Sequence, residues 1–161
     1  MNRIVKQLHK SFGLMKKRNW DKIYVAIDVH ETISKPTWDE TLALDFYENS
    51  IDTLKLLSDR KDICLILWTS SKEENKIGYF NILKENNIHF NYINSNPEVA
   101  ERSYADYESK FYINLILDDK AGWLPEDWLP LKEYLLVKKL SETKEENTIE
   151  ELIHTYFQKF N

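Results

Sequence analysis

Ile23-Tyr24-Val25-Ala26-Ile27-Asp28-Val29-His30-Glu31-Thr32 opens with five apolar residues in a row and then turns abruptly polar. The run is too short for a helix and shows no polar alternation. That pattern predicts a strand buried on both faces, the kind found in parallel sheets. A second run, Ile63-Cys64-Leu65-Ile66-Leu67-Trp68, repeats the pattern and again ends in polar residues, Thr69-Ser70-Ser71. A third, Tyr112-Ile113-Asn114-Leu115-Ile116-Leu117, ends in Asp118-Asp119.

Between these runs the periodicity is helical. Trp38 to Ser58 predicts a helix with Leu42, Phe46, Ile51, Leu54 and Leu57 near its inner face, and Glu73 to Asn86 predicts another, closed by the Asn86-Asn87 turn signal. A short strand is expected over His89 to Ile93, a short helix over Glu98 to Tyr107, and a last strand over Lys132 to Lys138. Glu142 to Asn147 reads as a charged linker and Thr148 to Phe160 as a closing helix. Strands alternating with helices make an α/β protein with a mostly parallel sheet. The expected organisation is an N-terminal amphipathic helix within residues 1–20 and one α/β domain over 21–161. In the first segment Ile4, Leu8, Phe12 and Met15 recur at helical spacing, with lysines around them. This predicts a helix docked on the domain or on a second subunit, with the lysines solvated.

A chain of 161 residues, 42% hydrophobic and 30% charged, is an ordinary globular domain rather than a disordered one. Its formal net charge of -5 argues against a protein that coats nucleic acid, while leaving a local basic groove open. The single cysteine, Cys64, lies inside an apolar run, so a buried thiol is expected and an internal disulfide is excluded. No stretch reaches the ~18 apolar residues of a membrane span. With no signal-peptide core, the expected location is the cytoplasm. The three glycines form neither a GxGxxG nor a Walker phosphate loop.

Ligands of open parallel sheets bind beyond the carboxyl ends of the strands. Those ends here carry Asp28, Thr69, Ser70, Asp118 and Asp119, with Lys110 just before the strand that precedes the acid pair. Carboxylates from two strands can hold Mg²⁺ through one or two oxygens. A carboxylate can also attack phosphorus, and a metal with a lysine can neutralise the transferring group.

The order Ile-Asp28-Val-His-Glu-Thr32, Leu-Trp-Thr69-Ser, Lys110, then Leu-Ile-Leu-Asp118-Asp119 resembles the four motifs of the haloacid dehalogenase superfamily. The resemblance implies a Rossmann-like three-layer α/β/α sandwich. It also implies a Mg²⁺-dependent phosphohydrolase working through an aspartyl phosphate. Asp28 would be the nucleophile and a metal ligand, and His30 would offer its backbone carbonyl to the metal. Thr69 and the amide of Ser70 would bind the phosphoryl group, Lys110 would hold its charge, and Asp118, with Asp119 beside it, would complete the metal site. Relatives carry a second Asp, the acid–base group, where this chain has His30. Imidazole is a competent acid–base group near neutral pH. The alternatives are a slow phosphoryl transferase and a domain that keeps phosphate or partner binding without turnover. Neither gap between motifs holds a cap domain, so the implied site is open. It would admit a nucleotide, another small phosphate ester covered by a neighbouring subunit, or a phosphoryl group on a macromolecule. Trp123 and Trp128 follow the acid pair, and are read as wall or core residues in preference to base-stacking platforms.

Overall fold

The computed structural model describes residues 2–101, 103–108 and 110–142. Four strands, β1 (Ile23–Asp28), β2 (Ile63–Trp68), β3 (Tyr92–Ile93) and β4 (Leu115–Leu117), form a sheet in the order β3-β2-β1-β4. Every pairing is parallel. Four α-helices accompany them: α1 (Arg3–Arg18), α2 (Ser50–Ser58), α3 (Glu73–Glu85) and α4 (Trp128–Glu142). This is a Rossmann-like α/β fold.

Strand alternation divides the core. Ile23, Val25 and Ile27 share a face with Leu65, Leu67, Leu115 and Leu117. Against that face pack Val5, Leu8 and Phe12 of α1, Leu54 and Leu57 of α2, Tyr79 and Leu83 of α3, and Leu131, Tyr134 and Leu135 of α4. The opposite face carries Ala26, Cys64 and Ile66, covered among the described residues by Tyr92, Phe111 and Ile113. The layer on that side is thus built from the segment between β3 and β4. Cys64 is 1% exposed, and burial pushes its thiol up to about 12, which makes it an inert core residue as its sequence context indicated.

The helix α1 is docked. Asn2 caps it by accepting from the amides of Ile4 and Val5, and Asn19 closes it in the left-handed region at φ 54°. Its apolar stripe is buried, and its lysines lie on the exposed side.

Several expected elements are corrected. Residues 38–49 are not helical, and α2 begins only at Ser50. Local hydrogen bonds compete with the helix there: Thr41 N–H donates to Asp39 Oδ1 at 2.9 Å, and Thr37 Oγ1 donates to the Thr41 carbonyl at 3.0 Å. Ser34 and Phe46 form an antiparallel bridge that folds this segment back on the end of β1. Among the described residues 98–107 there are turns and no helix.

Lys132–Lys138 lies inside α4 rather than in a strand. Leu131, Tyr134 and Leu135 are buried at helical spacing, and a short apolar run does not by itself separate the two periods. The strands β3 and β4 are shorter than expected because asparagine side chains take over the ladder. Tyr24 N–H donates to Asn114 Oδ1 at 2.8 Å, Leu65 N–H to Asn91 Oδ1 at 2.8 Å, and Thr69 N–H to Asn94 Oδ1 at 2.8 Å. The expected closing helix and most of the linker lie outside the described residues.

Candidate active site at the carboxyl ends of the strands

The chain runs from β1 outward to β2 and β3, then crosses to β4 on the other side of β1. The direction of winding therefore reverses between β1 and β4, the position where α/β sheets open a crevice at their carboxyl edge. Asp28 closes β1 and is in register with Trp68, the last residue of β2. Ile27 is in register with Leu117, so the next step sets Asp118 beside Asp28. Neighbouring strands lie about 4.8 Å apart. Thr69 follows Trp68 directly. Asp28, Thr69 and Asp118 thus come from three adjacent strand ends.

The electrostatics agree with this placement. The Asp28 carboxyl is pushed up to about 7, first by burial and then by Asp118 and Asp119; the Val29 amide and the Lys120 ammonium act the other way. For Asp119 burial opposes ionisation, but its ion pair with Lys120 outweighs that and holds it below the usual carboxylate range. Lys120 also lies 3.6 Å from Glu31.

The loop after β1 is anchored at Thr32. Its hydroxyl accepts from the Asp119 amide at 3.1 Å, and its carbonyl accepts from Trp128 Nε1 at 2.8 Å. Thr32 therefore links the end of β1 to the end of β4 and to the start of α4. Trp123 and Trp128 are 2% and 0% exposed, their ring centroids 4.7 Å apart, so they are core residues and offer no face to a base.

Thr69 is buried, and its hydroxyl lies 3.0 Å from that of Ser71 and accepts from the Ser71 amide at 3.2 Å. Asn94 fixes the backbone on both sides of Thr69, accepting from its N–H at 2.8 Å and donating to its carbonyl at 2.6 Å. Ser70, next along, is exposed. His30 does not lie loose at the rim. Its Nε2 is 3.0 Å from the Tyr79 hydroxyl on α3, and burial lowers its pKa against the opposing influence of Glu31. Lys110 is exposed on the segment before β4. Phe111 beside it packs edge-on against Trp68 with centroids 5.4 Å apart, which brings that segment to the end of β2. Among the described residues the cation that acts on Asp28 is Lys120.

Of the residues expected from the motifs, Asp28, Thr69, Asp118 and Asp119 come together. Lys120, Tyr79 and Asn94 were not expected. Only Lys120 carried a usable signal, standing directly after the acid pair. Tyr79 and Asn94 owe their roles to tertiary contacts.

The donor set can be weighed against a divalent cation. Asp118 Oδ1 accepts from the amides of Lys120 and Ala121 at 2.7 and 3.2 Å, which commits one of its oxygens to capping the turn Asp119–Ala121. Asp28, Asp118 and Asp119 do not form a closed trio; among the described residues the acids whose oxygens approach within 4.8 Å of one another are Glu101, Asp106 and Glu108, all exposed. Asp28 and the second oxygen of Asp118 would suit Mg²⁺, which keeps several waters and takes one or two protein oxygens. A fully protein-made cage is not what these residues offer.

A cleft of about 410 Å³ lies at the opposite end of the sheet, lined by Arg60, Asp62, Leu135 and Glu142 among others. It is remote from the strand ends and holds none of the groups above. No described helix is long and apolar enough to cross a membrane.

No family model matches the chain, and no curated protein matches it. Among solved structures it is similar to a conserved protein from Bacteroides thetaiotaomicron, with a TM-score of 0.56 and 22% identity over 77% of this chain and 93% of that one. That likeness is one of fold.

Proposed function

We propose that the chain is a Mg²⁺-dependent phosphohydrolase of the haloacid dehalogenase type, with Asp28 as its nucleophile. The observation that carries this reading is the register that sets Asp28 beside Asp118 at the topological reversal of the sheet, with Thr69 on the next strand end. The raised pKa of Asp28, due first to burial and then to Asp118 and Asp119, supports it, because a buried carboxylate beside two further acids gains from a bound cation.

Bound Mg²⁺ would supply charge neutralisation for the carboxylates and the phosphoryl oxygens. Asp28, with Asp118, would hold it, the His30 carbonyl would add a ligand, and Asp119 would stand beside them. Asp28 attacks phosphorus, the bond from phosphorus to the ester oxygen breaks, the leaving oxygen takes a proton from water, and a water then hydrolyses the aspartyl phosphate to free Asp28 and inorganic phosphate. The Thr69 hydroxyl and the Ser70 amide orient the phosphoryl oxygens. Lys110 would hold the phosphoryl charge, with Lys120, which acts on Asp28, as a second cation. The substrate is a phosphate ester reached from an open, capless edge, a nucleotide or other small ester, in the cytoplasm.

One observation favours a second reading, a phosphate- or partner-binding domain without turnover: the Nε2 of His30 is already engaged by Tyr79. Turnover of an aryl phosphate separates the two. With Mg²⁺ the parent protein should release the phenol; chelator should stop it, and Asp28→Asn should lower kcat at least ~10³-fold, in line with loss of an activated nucleophile. Intact-protein mass spectrometry should find a phosphoryl adduct on the parent and none on Asp28→Asn. Undiminished turnover in Asp28→Asn would remove this mechanism.

A further inference from the structure

We propose that Tyr79 is a positioning residue for His30: its buried hydroxyl fixes the imidazole with the proton on Nδ1, and the same hydroxyl ties that choice to the seating of the 37–45 segment. This deepens the phosphohydrolase reading and rests on it for its catalytic meaning, although the hydrogen-bond pattern stands by itself.

Tyr79 is 2% exposed on the inner side of α3. Among the described residues its hydroxyl has two hydrogen-bonding neighbours. The Ala43 amide, fixed as a donor, donates to it at 2.8 Å, and His30 Nε2 lies 3.0 Å away. The phenolic proton needs an acceptor, and Nε2 is the one at hand. In the reverse arrangement Nε2–H would donate to the oxygen, and a buried O–H would be left without a partner, which is costly in the protein interior. Nε2 therefore accepts, and a neutral imidazole then carries its proton on Nδ1. The rings meet edge-on, with centroids 5.6 Å apart and planes at 86°, so orientation as well as tautomer is set.

The third member of the chain is the segment after β1. Ala43 is buried, and Leu42 packs so tightly on α3 that a Cβ at Gly78 would come within 2.9 Å of its Cδ1. Glu40 pairs with Lys72 at 3.1 Å, and its carbonyl accepts from Asn75 Nδ2 at 3.4 Å. The relay Ala43 N–H to Tyr79 O–H to His30 Nε2 thus runs from a surface segment, through α3, to the position two residues after Asp28. The edge of His30 left for a ligand is Nδ1–H, a donor suited to an anionic oxygen.

The test is side-chain ¹⁵N–¹H correlation NMR on the full-length labelled protein at about pH 8, above the ordinary imidazole value of about 6.5. The signals of His30 are assigned by their loss in His30→Gln. The parent should show a protonated Nδ1 and an unprotonated Nε2. Tyr79→Phe, which keeps the ring and removes the hydroxyl, should lose that pattern in favour of Nε2–H or a mixture. An Nε2–H tautomer in the parent, or an unchanged tautomer in folded Tyr79→Phe, would overturn the proposal. Should Tyr79→Phe fail to fold, the parent spectrum alone still decides it. Absence of any phosphatase turnover in the parent would remove the phosphohydrolase reading while the spectra continue to decide the role of Tyr79.

Discussion

Trp128 and Trp123 are both buried and in contact, yet they differ by one hydrogen bond. Trp128 Nε1 donates to the Thr32 carbonyl, whereas Trp123 Nε1 has no partner among the described residues. Phenylalanine removes the N–H in either case. At Trp128 it also strands a buried carbonyl, so Trp128→Phe should cost about 1–3 kcal/mol more than Trp123→Phe. Urea denaturation of the two variants measures the difference, and equal losses would mean that the Thr32 carbonyl is satisfied otherwise. Asp28 presents the opposite sign. A carboxyl raised to about 7 is one whose charge the fold disfavours, so in chelator at pH 8 Asp28→Asn should stabilise the protein. The expected gain is about 0.5–2 kcal/mol, the usual scale for relieving a functional site. A loss of stability in chelator would count against the burial of Asp28 and its crowding by Asp118 and Asp119 as costs to the charged form.

Among the elements, α4 depends on a charged anchor. Arg60 Nη2 lies 2.7 Å from both Asp62 and Glu142, and Lys138 reaches Glu142 at 3.3 Å. Burial works against the Glu142 carboxylate, but Arg60 and Lys138 outweigh it and lower its pKa. A carboxyl depressed in the fold contributes stability above its unfolded value, and that contribution is lost as pH falls through the folded one. Glu142→Gln should therefore weaken the protein at pH 7 by about 0.2–1 kcal/mol, the range for a partly exposed pair. The gap from the parent should close as pH drops below 4.5, the carboxyl's ordinary value. Melting curves of both proteins across that range check this; a gap that persists at low pH would assign the effect to packing. The 38–49 segment shows how an element is decided by its surroundings. Its apolar residues suit a helix, but the turn at Asp39–Thr41 and the Ser34–Phe46 bridge take its backbone elsewhere, and Tyr79 and Asn75 of α3 hold it through the Ala43 amide and the Glu40 carbonyl.

On the scale of the whole molecule, α1 belongs to the core it covers. Val5, Leu8 and Phe12 are each under 5% exposed. Their burial is worth about 5–9 kcal/mol together at about 1.5–3 kcal/mol per side chain. Since a domain's net stability is about 5–15 kcal/mol, a chain lacking residues 2–18 should lose cooperative unfolding, as circular dichroism would register. A sharp melting transition in the shortened chain would show that the sheet and the other helices suffice alone.

The strand-end placement of the candidate residues was legible in sequence because its signals are local. A five-residue apolar run such as Ile23–Ile27, bounded by polar residues on both sides, suits the inside of a parallel sheet, and the polar residue that ends it then falls at the sheet's edge. That reasoning placed Asp28, Thr69 and Asp118 without any knowledge of contacts. It failed where the period was ambiguous, as at Lys132–Lys138, and where side chains took part in the ladder, as at Asn91 and Asn114. The tertiary structure alone decided which cation acts on Asp28, which hydroxyl holds His30 and which indole pins Thr32. Each of these depends on groups far apart in the chain meeting at hydrogen-bonding or Coulombic range, and sequence spacing carries no record of such meetings.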